Sequence, residues 1–358
     1  MINSSFWQGK RVLLTGHTGF KGSWLLLWLL ELGAEVWGYS LPAEAETNLF
    51  CQLQPQLARR FVHIEANLAD LTILMAAVED CQPEVVFHLA AQPLVRQSYL
   101  DPLGTWATNV IGSLHLLEAL KPLHHRCAVA MVTTDKVYEN REWTYGYREN
   151  DPLGGHDPYS ASKAGAELAI ASWRSSFCGP DFHQTPHLHI ATARAGNVIG
   201  GGDWAKNRIV PDAMRALGIG EAIGVRNPAA TRPWQHVLES LGGYLLLAEQ
   251  LATATQPLCE AFNFGPNLSS NRSVAELIET ILEHWPGQWF NQADPVAVHE
   301  AGLLNLQIDK AHHQLGWRPR WDYATTIQRT VAWYRNVHAG AEPWQCCVDD
   351  LAAYQDAI

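Results

Sequence analysis

The feature that most constrains this chain is a glycine loop set between a short apolar strand and a long apolar helix. Lys10-Arg11 lead into Val12-Leu13-Leu14, and the run then passes through Gly16, Gly19 and Gly22, spaced three apart, before the apolar stretch Trp24 to Leu30. A strand that ends in such a loop and continues as a helix presents backbone N–H groups at a positive helix end. This arrangement cradles a pyrophosphate, because the glycines let the backbone approach it closely. His17, Phe20 and Lys21 stand between the glycines and are candidate cofactor contacts with them.

The pattern after the loop decides the fold class. The helix following the loop is expected to stop at Gly33, a natural C-terminal cap. Strands are then expected at "AEVWGYS", "RFVHIEANL", "EVVFHLAA" over 84–91, "CAVAMVTTD" and "LHIATARAGNVIG", with helices between them. "PYSASKAGAELAIASW" reads as a helix with Asp157 as N-cap and Pro158 in its first position. Strictly alternating strands and helices predict an α/β fold with a doubly wound parallel sheet. The alternation loosens beyond about residue 200. The expected organisation is a dinucleotide-binding domain over 1–200 and, over 201–358, a smaller C-terminal region that mainly binds substrate, with some segments returning to the first domain.

Composition narrows the function. A net charge of -11 argues against nucleic acid or an anionic membrane surface as partner, since both need a basic face. The longest uninterrupted apolar run, Trp24 to Leu30, falls far short of the roughly 20 residues that span a bilayer. No secretory leader precedes the first strand, so a soluble cytoplasmic protein is expected. The seven cysteines lack a Cys-x-x-Cys pair and read as reduced thiols, the adjacent Cys346-Cys347 included. The adjacent pairs His124-His125 and His312-His313 would diverge on a helix, and no metal is expected.

The cofactor expected is NAD. The second strand ends in Tyr39 and Ser40, with Glu44 further on and no arginine to take a 2'-phosphate; the carboxylate that would hold the adenosine ribose is not at its usual place. Downstream, Tyr159 and Lys163 are four apart and share one helix face. An ammonium beside a phenol is expected to lower its pKa from about 10, making it a base for a substrate hydroxyl. Thr133 and Thr134 close the preceding strand, and Asp135-Lys136 add an acid and an amine side by side.

Together with "HLAAQ" at 88–92, "TNVIG" at 108–112, "RAGNVIGGGDW" at 194–204, "RPWQHV" at 232–237 and "LGWRPRW" at 315–321, these motifs resemble extended short-chain dehydrogenase/reductases acting on nucleotide sugars. Within that group, "TDK" at 134–136 is similar to the acid-base position of the sugar-nucleotide 4,6-dehydratases. The resemblance implies that Tyr159 and Lys163 oxidise the carbon-4 hydroxyl, with Thr134 bonded to its oxygen. Lys136 would then take the carbon-5 proton and Asp135 protonate the hydroxyl leaving carbon 6. These roles need a neutral amine and a protonated carboxyl, forms that enclosure away from water favours.

The resemblance also implies cofactor contacts from Ser40, Asn67, Leu68, Leu89, Ala90, Ala91 and Thr133. For the substrate, CDP-D-glucose by the same likeness, it implies Gln92, Asn197 on a phosphate, Arg208 beside the nucleobase and Arg232 on the pyrophosphate, and a homodimer or homotetramer. A nucleotide-sugar 4-epimerase, a dehydratase of another nucleotide hexose and a non-catalytic NAD-sensing regulator are the alternatives. An epimerase has no use for the Asp135-Lys136 pair, and a regulator has none for Tyr159 and Lys163.

Overall fold

The computed structural model describes residues 2–43, 47–178, 185–256, 258–293 and 303–357. Seven strands form its main sheet: β1 (Arg11–Thr15), β2 (Glu35–Ser40), β3 (Val62–Glu65), β4 (Val85–His88), β5 (Cys127–Val132), β6 (Leu188–Ala195) and β7 (Ala261–Phe264). Their order is β7-β6-β5-β4-β1-β2-β3, and every pairing is parallel. The order reverses between β1 and β4, so a crevice opens above their carboxyl ends, where ligands settle in such sheets.

The strands read as apolar runs because both faces are covered. Along β1, Val12 and Leu14 enter one core layer while Leu13 enters the other. Along β5, Ala128, Ala130 and Val132 alternate in the same way with Cys127, Val129 and Met131. One layer holds helix α1 (Phe20–Glu31) and helix α5 (Val237–Thr253). The other holds α2 (Leu71–Cys81), α3 (Gly112–Leu120) and part of α4 (Pro158–Phe177).

Helix α1 is buried from Gly22 through Leu30, on every side. A helix apolar all round needs a cover on its outer face, and the C-terminal helix α7 (Pro343–Asp356) supplies part of it, with the Trp28 and Tyr354 rings edge to face at 5.7 Å. Helix α6 (Tyr323–His338) lies against α7. Gly33 takes φ +81° immediately after α1, a conformation that spares glycine a Cβ clash.

Residues beyond 200 divide between two places. Helix α5 packs on β5 and β6, and β7 extends the main sheet. Three small two-stranded pairings stand apart from it: Thr231–Pro233 with Asn271–Ser273, Ile223–Val225 with Trp289–Asn291, and Val198–Ile199 with Gln235–His236. Among the described residues no helix is long and apolar enough to cross a membrane. His312 and His313 do not diverge: they sit in a π-turn, Ala311–Leu315, with ring centroids 4.8 Å apart. The wider turn brings neighbouring side chains alongside each other.

Candidate active site

A cavity of about 1350 Å³ opens above the sheet crevice. It exceeds the roughly 300–1,000 Å³ typical of a site for one small ligand and suits a dinucleotide with a second nucleotide beside it. Gly16, Phe20, Ser40, Asn67 and Leu68 line it, as do Leu89, Ala90, Ala91 and Thr133.

The glycine loop fits a dinucleotide. Gly16 has φ +81°, and a Cβ there would lie 2.6 Å from the Ala90 nitrogen. A Cβ on Gly22 would lie 2.0 Å from the Gly16 carbonyl oxygen, so only glycine lets α1 start so close to the loop. Gly19 caps α1 with no side-chain bond and faces the cavity, which leaves N–H donors of the first turn for an anion.

His17 lies in the loop but turns away from the cavity. Its ring sits beneath Gly38, where a Cβ would come within 2.7 Å of it, and its Nε2 lies 2.7 Å from His63 Nδ1. Burial, then the His63 charge, pushes its pKa down to about 3. It packs in the sheet rather than against the cofactor. Lys21 does line the cavity; its Nζ donates to the Tyr244 hydroxyl at 3.2 Å. Burial, with help from Arg208 and Lys163, lowers this amine to about 7, against Asp135. At the end of β2 the Ser40 and Thr18 hydroxyls pair at 2.7 Å. Glu44 lies outside the described residues.

Helix α4 carries Tyr159 and Lys163. Asp157 caps it through the Ser160 N–H, with Pro158 in the first turn. Both catalytic candidates are buried and line the cavity, and Lys163 Nζ donates to the Val132 carbonyl at 3.0 Å. The expected lowering of the phenol does not occur. Burial pushes Tyr159 up to about 12, Asp135 adding to it, while the Thr134 hydroxyl and Arg208 oppose it. Burial also pushes Lys163 down to about 8, with Glu167 opposing. Desolvation of the phenolate outweighs its cationic neighbours.

The acid-base pair lies at the end of β5. Lys136 is on the cavity wall, and its Nζ lies 3.3 Å from Asn197 Oδ1 and 3.8 Å from Asp135 Oδ1. Asp135 is only 1% exposed and sits just behind that wall. Its carboxylate accepts from the Thr134 hydroxyl at 2.9 Å and packs where a Cβ on Gly196 would be, 2.8 Å away. Thr134 therefore stands between acid and phenol. Asn197, expected at a phosphate, also holds the Lys136 amine.

Gln92 does not face the cavity. Its amide bonds the Leu94 N–H and the Thr105 hydroxyl, and its backbone is clasped by Asn109. Asn109 sits in a π-turn, Ala107–Ile111, and bonds Ser162 on α4. Arg208 lines the cavity, paired with Asp203 at 3.0 Å, and its charge reaches both Lys21 and Tyr159. Arg232 lines it from the strand Thr231–Pro233. Sequence reasoning missed Glu167 and Arg194, which form a buried ion pair at 2.9 Å beneath Lys163 and Thr133. Glu167 falls four residues after Lys163, a helical spacing that could have flagged it.

The fold and the Tyr159/Lys163 site define an extended short-chain dehydrogenase/reductase. A family model described as GDP-mannose 4,6 dehydratase matches residues 13–330, and the chain belongs to that family. Among curated relatives, the CDP-glucose 4,6-dehydratase of Salmonella typhimurium is 44% identical over 100% of this chain and 99% of its own length. A dTDP-glucose 4,6-dehydratase of Streptomyces antibioticus is 30% identical over 78% of each chain. A solved dTDP-glucose 4,6-dehydratase from Streptomyces venezuelae, with NAD and TYD bound, matches with TM-score 0.78 and 25% identity, over 93% of this chain and 99% of that one.

Proposed function

We propose that this chain is a CDP-D-glucose 4,6-dehydratase that converts CDP-D-glucose to CDP-4-keto-6-deoxy-D-glucose and water, using NAD. The observation that carries the reading is the full-length 44% identity to the Salmonella enzyme, joined to a cavity where Thr134, Lys136 and Tyr159 meet with Asp135 directly behind. An epimerase needs no such acid and amine.

The glycine loop at Gly16, Gly19 and Gly22 would hold NAD, which would supply a hydride acceptor for carbon 4 and a hydride donor for carbon 6, with no net change over a cycle. For turnover Tyr159 first gives up its own phenol proton; the phenolate, with Lys163 beside it, then takes the carbon-4 hydroxyl proton while Thr134 bonds the same oxygen. Ketone formation acidifies the carbon-5 proton, which Lys136 removes. Asp135, in its protonated form, supplies the proton to the hydroxyl leaving carbon 6; Thr134, its contact at 2.9 Å, is then free to bond the carbon-4 oxygen. Arg232 and Asn197 hold the pyrophosphate; Arg208, expected beside the nucleobase, carries its charge to Tyr159 and so lies toward the sugar. Residues 201–358 supply most of this nucleotide-sugar region, apart from α5 and β7.

A cytoplasmic homodimer or homotetramer in deoxysugar synthesis of the O-antigen type completes the reading. Exposed apolar side chains on helices around α4, namely Leu100, Leu103, Trp106, Ile111 and Leu168, support self-association. The test is incubation with CDP-glucose and dTDP-glucose, each labelled with deuterium at carbon 4. The CDP sugar gives the 4-keto-6-deoxy product with the label at carbon 6. Preference for the dTDP sugar, loss of label to solvent, or reduced cofactor accumulating with product would reject the reading.

A further inference from the structure

Glu167 lies one helical turn beyond Lys163 on α4 and is 3% exposed. Its carboxylate accepts four hydrogen bonds. Oε1 takes Thr133 Oγ1 at 2.5 Å and Arg194 Nε at 2.9 Å; Oε2 takes Thr192 Oγ1 at 2.8 Å and Arg194 Nη2 at 2.9 Å. Arg194 in turn donates to the Tyr138 hydroxyl at 2.9 Å and the Glu149 carbonyl at 3.0 Å. The pair thus joins α4, the end of β5, β6 and the segment over 138–149.

Burying an ion pair this completely is weak support for stability, because desolvation cancels most of the attraction. Its placement suggests another use. Thr133, bonded to Glu167, immediately precedes Thr134, whose hydroxyl contacts both Tyr159 and Asp135. Lys163, on the same face of α4 as Glu167, is held to β5 by the Val132 carbonyl.

We propose that Glu167 is a positioning residue: through Thr133 its carboxylate fixes the end of β5 that presents Thr134 to Tyr159 and the Val132 carbonyl to the Lys163 amine. A charge effect on that amine accompanies the placement. The catalytic half of this proposal rests on the dehydratase reading; the charge half does not. The groups that face Lys163 include Tyr159 on its own helix, Lys21 on α1 and His88 on β4. Tyr159 is protonated at neutral pH, and His88 is driven by burial, then by Lys163, to about 3 and is neutral there. Lys21 is a like charge that disfavours the ammonium. Glu167 is the group that opposes the burial of Lys163. Burial would raise the Glu167 carboxyl, but the bonds from Arg194, Thr133 and Thr192 outweigh it and hold it ionised.

The experiment follows the Lys163 amine by nitrogen NMR on lysine-labelled protein, its resonance identified by loss in Lys163→Arg. The parent amine should titrate near pH 8. Glu167→Gln should lower that midpoint by at least about half a unit, whereas Glu167→Asp restores it. If Glu167→Gln does not fold, the double variant Glu167→Gln/Arg194→Gln also removes the opposing Arg194 charge and should show a smaller downward shift. An unmoved midpoint in the folded neutral variant overturns the proposal.

In single turnovers with CDP-glucose and NAD, the basic limb of the first oxidation should shift with the amine in the Gln variant and not in the Asp variant. A shifted amine with an unshifted rate profile overturns the catalytic half. A parent protein inert toward CDP-glucose overturns the dehydratase reading and leaves the NMR result standing.

Discussion

In the proposed reaction Tyr159 and Lys136 carry two separate proton transfers within one cavity, and single substitutions should part them. Tyr159→Phe removes the group proposed to take the carbon-4 hydroxyl proton, so turnover should fall by about 10²-fold to 10⁴-fold, the usual range for a lost acid-base group. Lys136→Ala should leave the first oxidation intact and block elimination. Rapid quenching should then recover a 4-keto sugar that still carries its carbon-6 hydroxyl. Parent-like turnover by Lys136→Ala would show that another group is the base. Affinity for NAD is also set by single residues. Ser40 ends β2 with a hydroxyl bonded to Thr18 in place of a carboxylate. Hydrogen bonds to a charged group contribute about 1.5–3 kcal/mol. Their loss corresponds to roughly tenfold to hundredfold weaker binding. Protein passed through extensive gel filtration should therefore lose NAD and regain activity when it is added. Stoichiometric retention would show that other contacts suffice.

At the scale of elements, the docking of α6 on α7 carries a pH dependence. Asp350 on α7 is 5% exposed, and Arg329 Nη1 on α6 lies 3.5 Å from its Oδ1. Burial pushes Asp350 up to about 7, the Arg329 charge only partly opposing it. The folded protein therefore holds this proton at pH values where the unfolded chain has released it. Stability from this group is fully present below the unfolded carboxyl's value of 3.8 and is lost as pH rises through about 7. Asp350→Asn should exceed the parent in stability most at about pH 8, and the gap should close toward about pH 4, by at most ~1.4 kcal/mol per pH unit. Urea unfolding at several pH values measures it, and a gap that does not vary with pH would contradict the assignment.

For the whole molecule, the proposed self-association should run through the exposed apolar set beside α4. Leu103 is 83% exposed and Leu100 79%. Leu100→Glu/Leu103→Glu should convert the assembly to monomers in analytical ultracentrifugation while the circular dichroism spectrum stays unchanged. An unaltered assembly would place the contact elsewhere.

The sequence by itself determined the sheet class, the glycine loop and the Tyr159/Lys163 face. Each follows from local rules: period-two and helical spacing, a cap at Asp157, and glycines where backbone must meet backbone. It also placed Thr134, Asp135 and Lys136 together, because neighbours along a chain stay neighbours in space. Tertiary structure alone decided the remainder. Adjacent positions do not reveal which way a side chain turns: His17 stands in the glycine loop, yet its ring packs beneath Gly38. Gln92 follows the cavity-lining Ala90 and Ala91 directly, yet its amide braces its own loop. The return of α5 and β7 to the main sheet depends on packing between distant segments. The same is true of the pairing of Glu167 with Arg194, 27 residues apart in the chain. Burial, which no local pattern reports, reversed the expected direction for the Tyr159 phenol, because the cost of stripping water from its anion exceeds what the charges around it return.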